Sequence, residues 1–384
     1  MHFLGLLMLG WGGPRALGSD FGVNARDMRY RIIQWGTGQV GKIAVRAIAE
    51  HPELELVGAR VYDPAKVGLD AGAICGTRNL GVRATDREEE LLARDADCVL
   101  WMGAATMFGP GGSMEQGVDE LCRILASGKN VISIVHAYFI HPASLPGSVR
   151  DPVEKACQEA GVSFHVCGID PGFNAEVLAL TLTGLCRRVD RLRAYEILDY
   201  ASYKSPQIIF DVMAFGKSAD TPTPLGSEVM IAGYGASLRI VGQALGVRVD
   251  DVRFVREVEL ARQSFDVAAG RIEKGTVAAI RYAFEGYVAG QPRISIEHVT
   301  RLNADQAPQW PQGHGYLIEI EGEPPMRMDL RLGEAKGRDP FYDSHVATAM
   351  HAVHSVPAVC EARPGIATFL DLPRLWGHHS MRGE

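Results

Sequence analysis

The run Gly36-Thr37-Gly38-Gln39-Val40-Gly41 constrains this chain more than any other feature. It lies between an apolar, β-type stretch at 30–34 and a helical pattern at 40–49. Glycines spaced G-x-G-x-x-G at a strand-to-helix turn meet three separate needs. Gly36 permits the tight turn, Gly38 clears the backbone for a pyrophosphate, and Gly41 lets helix and strand pack closely. The amides of the turn, Thr37, Gln39 and Val40 included, then face phosphate, and the positive end of the helix dipole favours its charge. A dinucleotide is the expected ligand of this turn.

The pattern around the turn sets the fold class. From residue 29 to about 168, short β-branched runs (55–61, 96–101, 130–135, 162–166) alternate with helical stretches (114–126, 151–160). That alternation predicts βαβ units and a doubly wound parallel sheet of the Rossmann type. Beyond Gly168 the pattern changes. Helices are expected at 176–186 and 227–244. Strand-like runs follow one another at 252–260, 275–287, 293–301, 315–321 and 326–332, after an earlier one at 191–198. Consecutive strands imply a mostly antiparallel sheet, hence an α/β chain whose second lobe is α+β. The expected division is an extension at 1–27, a dinucleotide-binding domain at 28–170, a substrate and dimerisation domain at 171–342, and a C-terminal helix and tail at 343–384 that pack back on the first domain. Residues 344–355 read as amphipathic, with Pro357 ending the helix.

Composition narrows the partners. The 384 residues carry a net charge of −7 with no basic stripe, which argues against nucleic acid. Seven scattered cysteines without a C-x-x-C pair suit reduced thiols in a cytoplasm, not a disulfide framework or zinc site. No apolar run reaches membrane-spanning length. The apolar stretch 3–9 has no Lys or Arg before it, so residues 1–27 are expected to be a disordered extension or an over-extended start, with Met28 the true beginning. The expected partners are a small-molecule substrate and a second copy of the chain as a homodimer.

Beyond the turn, candidate site residues fall at strand ends. Asp63, about twenty residues past the glycines, is placed to accept from a ribose 2′-OH. Arg60 and Lys66 beside it are suited to a 2′-phosphate, so NAD and NADP both stay open. Ala104, Ala105 and Thr106 are small residues where a dinucleotide crosses the sheet, and 107–113 is a glycine-rich stretch suited to a lid or a plain surface loop. Asp170, Pro171, Gly172 and Phe173 join the lobes as a hinge and set backbone beside the nicotinamide carboxamide. Asn174 is expected to cap the next helix. Glu196, Asp199, Tyr200 and Tyr203 form the expected substrate wall.

Several segments carry a resemblance. They are Arg31-Ile32-Ile33-Gln34-Trp35-Gly36-Thr37-Gly38, Glu55-Leu56-Val57-Gly58-Ala59-Arg60, Gly128-Lys129-Asn130-Val131-Ile132-Ser133, Gly168-Ile169-Asp170-Pro171-Gly172-Phe173 and residues 356–365. Together they resemble the dihydrodipicolinate-reductase-like superfamily, in the branch of 2,4-diaminopentanoate dehydrogenase and the native amine dehydrogenases. The resemblance implies a nicotinamide-dependent oxidoreductase and, just beyond the strand after Gly-x-Asn-Val, a catalytic glutamate. His136 stands at that place here. The His-His and Pro-Ser-Gly-Thr segments of dihydrodipicolinate reductase and the Glu-Lys-Pro segment of sugar oxidoreductases are missing.

At a strand end, an imidazole suits proton transfer at neutral pH, so His136 is the first catalytic candidate, with Tyr138 and His141 behind it. A hydrogen-bonded structural histidine is the equal alternative. Tyr200 and Lys204 match Tyr-x-x-x-Lys by accident, because Pro206 argues against a helix. His345, His351, His354, His378 and His379 read as a solvated face and tail, and no metal is expected. Cys167 lies in a buried strand pattern, where a thiol is inert. Three functions follow: hydride transfer to or from a C=O or C=N carbon, amine dehydrogenation with the glutamate replaced, or dinucleotide sensing without catalysis.

Overall fold

The computed structural model describes residues 29–103, 113–333 and 340–381. The expected extension at 1–27, Ala104, Ala105, Thr106 and nearly all of the 107–113 stretch lie outside the described residues.

The first lobe is built on six parallel strands. β1 (Tyr30–Trp35), β2 (Leu54–Arg60), β3 (Cys98–Trp101), β4 (Asn130–Ser133), β5 (Ser163–Val166) and β14 (Gly365–Ala367) lie in the order β14-β5-β4-β3-β1-β2. β1 pairs with both β2 and β3, so the strand carrying the glycine turn is central. Its last four residues, Ile32 to Trp35 apart from polar Gln34, are apolar and all are fully buried, as a strand covered on both faces requires. One face is covered by α1 (Gln39–Glu50) and α8 (Pro340–Cys360), whose Ile43, Val45, Val353 and Val356 meet Ile32 and Leu100. The other is covered by α4 (Met114–Ala126) and α5 (Gly147–Ala160), through Leu121, Ile124 and Val153. Two short helices, α2 (Ala71–Cys75) and α3 (Glu88–Leu92), fill the β2–β3 connection. After the second lobe the chain returns, so α8 and β14 complete the first.

The second lobe holds a six-stranded sheet in the order β13-β12-β6-β11-β10-β7. Its strands are β6 (Arg188–Asp199), β7 (Asp251–Leu260), β10 (Val277–Val288), β11 (Gln291–Arg301), β12 (Gly315–Glu323) and β13 (Met326–Leu330), with a β8 (Phe265–Val267) and β9 (Gly270–Ile272) hairpin beside it. All neighbours are antiparallel except β6 and β11. The parallel pair exists because the chain leaves β6, passes through α7 (Glu228–Ala244), the sheet strands β7 and β10 and the hairpin between them, and re-enters beside β6 in the same direction.

α7 joins the lobes. Tyr234, Leu238 and Val241 enter the second core, while Ala236 and Ile240 pack with Tyr138 and Phe139 of the first.

Two helix expectations are corrected. The helix expected at 176–186 is a π-type turn, Asn174–Leu178, running into the short α6 (Ala179–Thr183). Pro357 does not stop α8: it lies inside the helix, which ends at Cys360. Proline removes one N–H and crowds the carbonyl four residues before it, and burial of Val356 and Val359 in the last turn outweighs that local cost.

Candidate active site

At the glycine turn, geometry separates the three glycines. Gly36 has φ +99°, and a Cβ there would sit 2.6 Å from Gly103 Cα. A Cβ on Gly41 would lie 2.1 Å from the Gly36 carbonyl oxygen. Around Gly38 nothing lies within 4 Å, so the fold itself leaves that space open. α1 begins at Gly38 without a side-chain cap and without an acidic residue in its first turn. Its leading amides and positive dipole end are therefore left for an anionic group. Gln34, fully buried, donates from Nε2 to the Gly36 carbonyl at 3.0 Å and fixes the turn from behind. The residues present fit a pyrophosphate.

At the end of β2, Asp63 Oδ1 accepts from the Ala65 amide at 3.0 Å, and Lys66 Nζ lies 3.5 Å from the Thr37 carbonyl. The Arg60 guanidinium lies 5.1 Å from the Tyr62 ring centroid and 5.8 Å from that of Trp35, and donates to the Val61 and Asp86 carbonyls. Of these three charged side chains, Lys66 reaches the turn directly.

The segment after β5 carries the chain to the second lobe from the carboxyl end of the parallel sheet, where ligands of such sheets bind. Gly172 has φ +124°, and a Cβ there would meet the Gly168 nitrogen at 2.5 Å. Asn174 does not cap a helix. Buried, it donates from Nδ2 to Asp170 Oδ2 at 3.2 Å and to the Tyr195 carbonyl at 3.3 Å, tying the junction to β6. From α8, His351 Nδ1 meets the Gly168 carbonyl at 2.9 Å, and its ring lies 5.1 Å from that of Phe173.

Against this junction stands a polar row that crosses the second sheet. Strand register aligns Tyr316 with Glu196, Glu196 with His298, and His298 with Tyr282. Residues level with one another on neighbouring strands present side chains on the same face. Tyr316 donates its hydroxyl to Glu196 Oε1 at 3.1 Å, and His298 Nδ1 lies 3.0 Å from Glu196 Oε2. The His298 and Tyr282 rings stack at 4.5 Å and 7°. Tyr234 of α7 meets the His298 ring edge-on at 5.1 Å.

Electrostatics couple the row to the junction. Burial pushes the Asp170 carboxyl up to about 7; His298 pulls it down, while Glu196 and Glu176 push it further up. Burial also raises the Glu176 carboxyl, against the pull of Ser237 and the Gly172 amide. For His298, burial favours the neutral ring, but Glu196 and Asp170 outweigh it and the imidazole is held above its ordinary value. Perturbed acids and a histidine gathered where the lobes join are the kind of group that marks a candidate functional site. The side chain of Glu196 is 20% exposed while that of His298 is 3%, so the carboxylate is partly accessible and the imidazole is sealed behind it.

The structure brings Asp170 and Glu196 together and puts Tyr200 and Tyr203 nearby, their rings 5.4 Å apart and each within 5.0 Å of Phe341. Asp199 instead turns back to accept from the Ala201 amide at 2.8 Å. His136 is placed elsewhere. It is fully buried among Trp101, Tyr138 and Phe164, with Nδ1 2.7 Å from Ser133 Oγ. α7 closes over this turn, and a Cβ on Gly233 would lie 3.1 Å from Ala137 Cβ. Burial pushes the His136 imidazole down to about 3, a neutral ring throughout the physiological range. Tyr138 is equally buried, and His141 Nε2 pairs with Gln243 at 3.1 Å on the far side of α7. His136 is thus sealed and neutral, while the perturbed titratable groups at the lobe junction are Asp170, Glu176 and His298, with Glu196 beside them. The cause of the sealing is the docking of α7, which no local pattern around residue 136 announces.

Other readings shift as well. His351 and His354 are half-buried against the first lobe and not on a solvated face. Residues 200–204 form a turn, as Pro206 implied. Cys167 is buried, and burial pushes its thiol up to about 12, which suits an inert residue. Sequence reading missed Glu176, Tyr234, Tyr282, His298 and Tyr316. The available signal was weak: Ile294–Val299 interleaves polar and apolar residues, and only the structure shows that all six are buried.

Comparison with known proteins matches residues 173–380 to the model of the 2,4-diaminopentanoate dehydrogenase C-terminal domain. An amine dehydrogenase of Streptomyces virginiae is 33% identical over 353 residues, 89% of this chain and 95% of that protein. A 2,4-diaminopentanoate dehydrogenase of Acetoanaerobium sticklandii is 22% identical over 356 residues, 90% of this chain and 94% of that one. In three dimensions, an amine dehydrogenase from Mycobacterium smegmatis superposes with a TM-score of 0.68 at 19% identity, over 90% of this chain and 97% of that one.

Proposed function

Since the chain belongs to the 2,4-diaminopentanoate dehydrogenase family, we propose that this NAD(P)-dependent oxidoreductase is an amine dehydrogenase whose proton chemistry is carried by Glu196 and His298. The reaction converts a small primary amine, as R₂CH–NH₃⁺, with NAD(P)⁺ and water to the ketone or aldehyde, NH₄⁺, NAD(P)H and H⁺. The bound dinucleotide supplies the hydride acceptor. The chain supplies everything else.

The turn at Gly36, Thr37, Gly38, Gln39, Val40 and Gly41 would hold the diphosphate, and Arg60, Asp63 and Lys66 would meet the adenosine ribose. Asp170, Pro171, Gly172 and Phe173 shape the wall on the nicotinamide side. Glu196 holds the substrate ammonium and accepts its proton. Tyr316 and His298 keep the carboxylate oriented, and Asp170 acts on the pair through its charge. Tyr200 and Tyr203 line the apolar side of the same crevice and select small substituents on carbon.

The observation that carries the reading is the Tyr316–Glu196–His298 row, a half-open carboxylate on a buried histidine, set beside the segment that leaves the parallel sheet. The glutamate expected at position 136 is absent, and this row offers a carboxylate from the opposite lobe. The test is oxidation of NADH or NADPH with small ketones, with and without ammonium. The reading expects ammonium-dependent turnover. Equal ketone reduction without ammonium, or cofactor binding with no turnover on any amine or ketone, would overturn it.

A further inference from the structure

We infer that the C-terminal tail carries a divalent transition-metal site, formed by Glu53, His378 and His379, that pins the tail to the corner between α1 and β2. It lies on the amino-terminal side of the parallel sheet and rests on no part of the cofactor reading. It also revises the expectation that the chain holds no metal.

Three observations converge. First, one ligand atom from each of Glu53, His378 and His379 lies within 4.8 Å of the others. His379 Nε2 is 3.2 Å from Glu53 Oε1, and His378 Nδ1 is 3.7 Å from Oε2. Two ligands each about 2.0–2.1 Å from one tetrahedral metal stand about 3.3 Å apart, so small side-chain adjustment admits an ion. Second, adjacent side chains on extended backbone point to opposite faces. Here His379 takes the left-handed conformation, φ +59°, and the neighbouring rings approach to 4.2 Å on the same side. Third, the surroundings are imidazole-rich. The His51 ring lies 5.2 Å from that of His379, while its Nδ1 accepts from the Glu53 amide at 3.2 Å. From α8, His354 borders the same groove as Glu53 and His378, and its buried Nδ1 has no hydrogen-bond partner.

Two imidazoles and one carboxylate suit zinc and its neighbours in the first transition row, and disfavour magnesium and calcium, which take oxygen ligands. The exposed side leaves a fourth position for water, or for His51 or His354 after a rotamer change. Because Glu53 follows α1 and the histidines come from the last residues of the chain, an ion here closes a loop of more than three hundred residues. Its effect is to order the tail over the groove beside Tyr30 and Glu361.

The experiment uses full-length protein without a polyhistidine tag, stripped with chelator and titrated with zinc against a chromophoric competitor, with magnesium as the control. The proposal expects one zinc per chain and at least a tenfold loss of affinity in Glu53→Gln and in His379→Ala. It further expects protection of the 374–380 segment from proteolysis by zinc in the parent but not in those variants. Turnover should stay unchanged, which separates the outcome from any failure of the cofactor reading. No saturable zinc uptake, or equal uptake by His378→Ala/His379→Ala protein of unchanged melting temperature, would overturn it and leave a plain histidine–glutamate contact.

Discussion

His298 Nδ1 stands 3.0 Å from Glu196 Oε2, across the parallel β6–β11 pair that aligns the two residues in register. The pair is separated by 102 positions in the chain, and strand pairing alone brings it together. The Glu196 side chain is partly exposed and that of His298 is sealed, so the carboxylate has one fixed buried neighbour.

Glu196→Gln keeps the shape and removes the base. Loss of a positioned proton acceptor costs about 10²–10⁴ in rate. We expect kcat to fall within that range while the dissociation constant for the dinucleotide stays within about threefold, because the carboxylate lies away from the phosphate turn. Steady-state kinetics with calorimetric cofactor titration checks this. A kcat within about threefold of the parent would remove Glu196 from the chemistry. His298→Gln should move the pH profile as well as the rate, since the imidazole acts by positioning the carboxylate.

Asp170 gives a stability signature. Its folded value of about 7 lies above its unfolded value near 3.9, so the folded state holds this proton more tightly. The resulting stabilisation is complete below about pH 3.9 and is lost as pH rises through about 7. Asp170→Asn has no charge to bury. Its melting temperature relative to the parent should therefore be higher at pH 8 than at pH 5. A difference independent of pH would show that the carboxyl is not held up. Because Asp170, Glu176, Glu196 and His298 interact, a limb near pH 7 in the rate profile belongs to the set.

The glycines separate folding from binding. Gly41→Ala puts a methyl group onto a backbone oxygen and should cost about 1–3 kcal/mol, as overpacking does. Gly38→Ala meets open space and should shift the melting temperature by no more than one or two degrees, yet weaken dinucleotide binding at least tenfold. Thermal unfolding and cofactor titration on both variants check the contrast. Gly38→Ala protein that binds as the parent does would mean that the diphosphate lies elsewhere.

His136 and His165 are fully sealed imidazoles, pushed down by burial to about 3 and about 4. Their folded values lie below the unfolded value near 6.5, so the stability they contribute is present above pH 6.5 and is lost as pH falls towards those values. A tenfold difference in proton affinity between the folded and unfolded chain is worth about 1.4 kcal/mol, so His136 alone makes the protein several kcal/mol more acid-sensitive. Denaturant unfolding should show a steep loss between pH 6 and 4 that is shallower in His136→Gln. An unchanged slope would mean that the ring is not buried as a neutral group.

Much of the fold was legible, and the reasons are local. The Gly36–Gly41 turn, its flanking apolar strand and the alternation to residue 168 are short-range patterns that give the parallel sheet, and the consecutive strand-like runs beyond 168 give the second. The course of α8 was not legible, because Pro357 reads as a stop while Val356 and Val359 are held by a core assembled from strands far away in sequence. The candidate site divides the same way. Asp170 and Glu196, both singled out in the sequence, lie near each other where the lobes join. His298, Tyr282 and Tyr316 become a site only through cross-strand register, which no single window contains. The burial of His136 follows from the docking of α7, a contact with residues about a hundred positions away.

The most direct measurement is a crystal structure of the protein with NAD⁺ or NADP⁺ bound. The diphosphate should lie on the amides between Gly36 and Gly41, and the nicotinamide ring between residues 168–173 and the Glu196–His298 pair. A nicotinamide ring on the side of the lobe away from Glu196, or a diphosphate off the turn, would contradict the assignment of proton transfer to that pair.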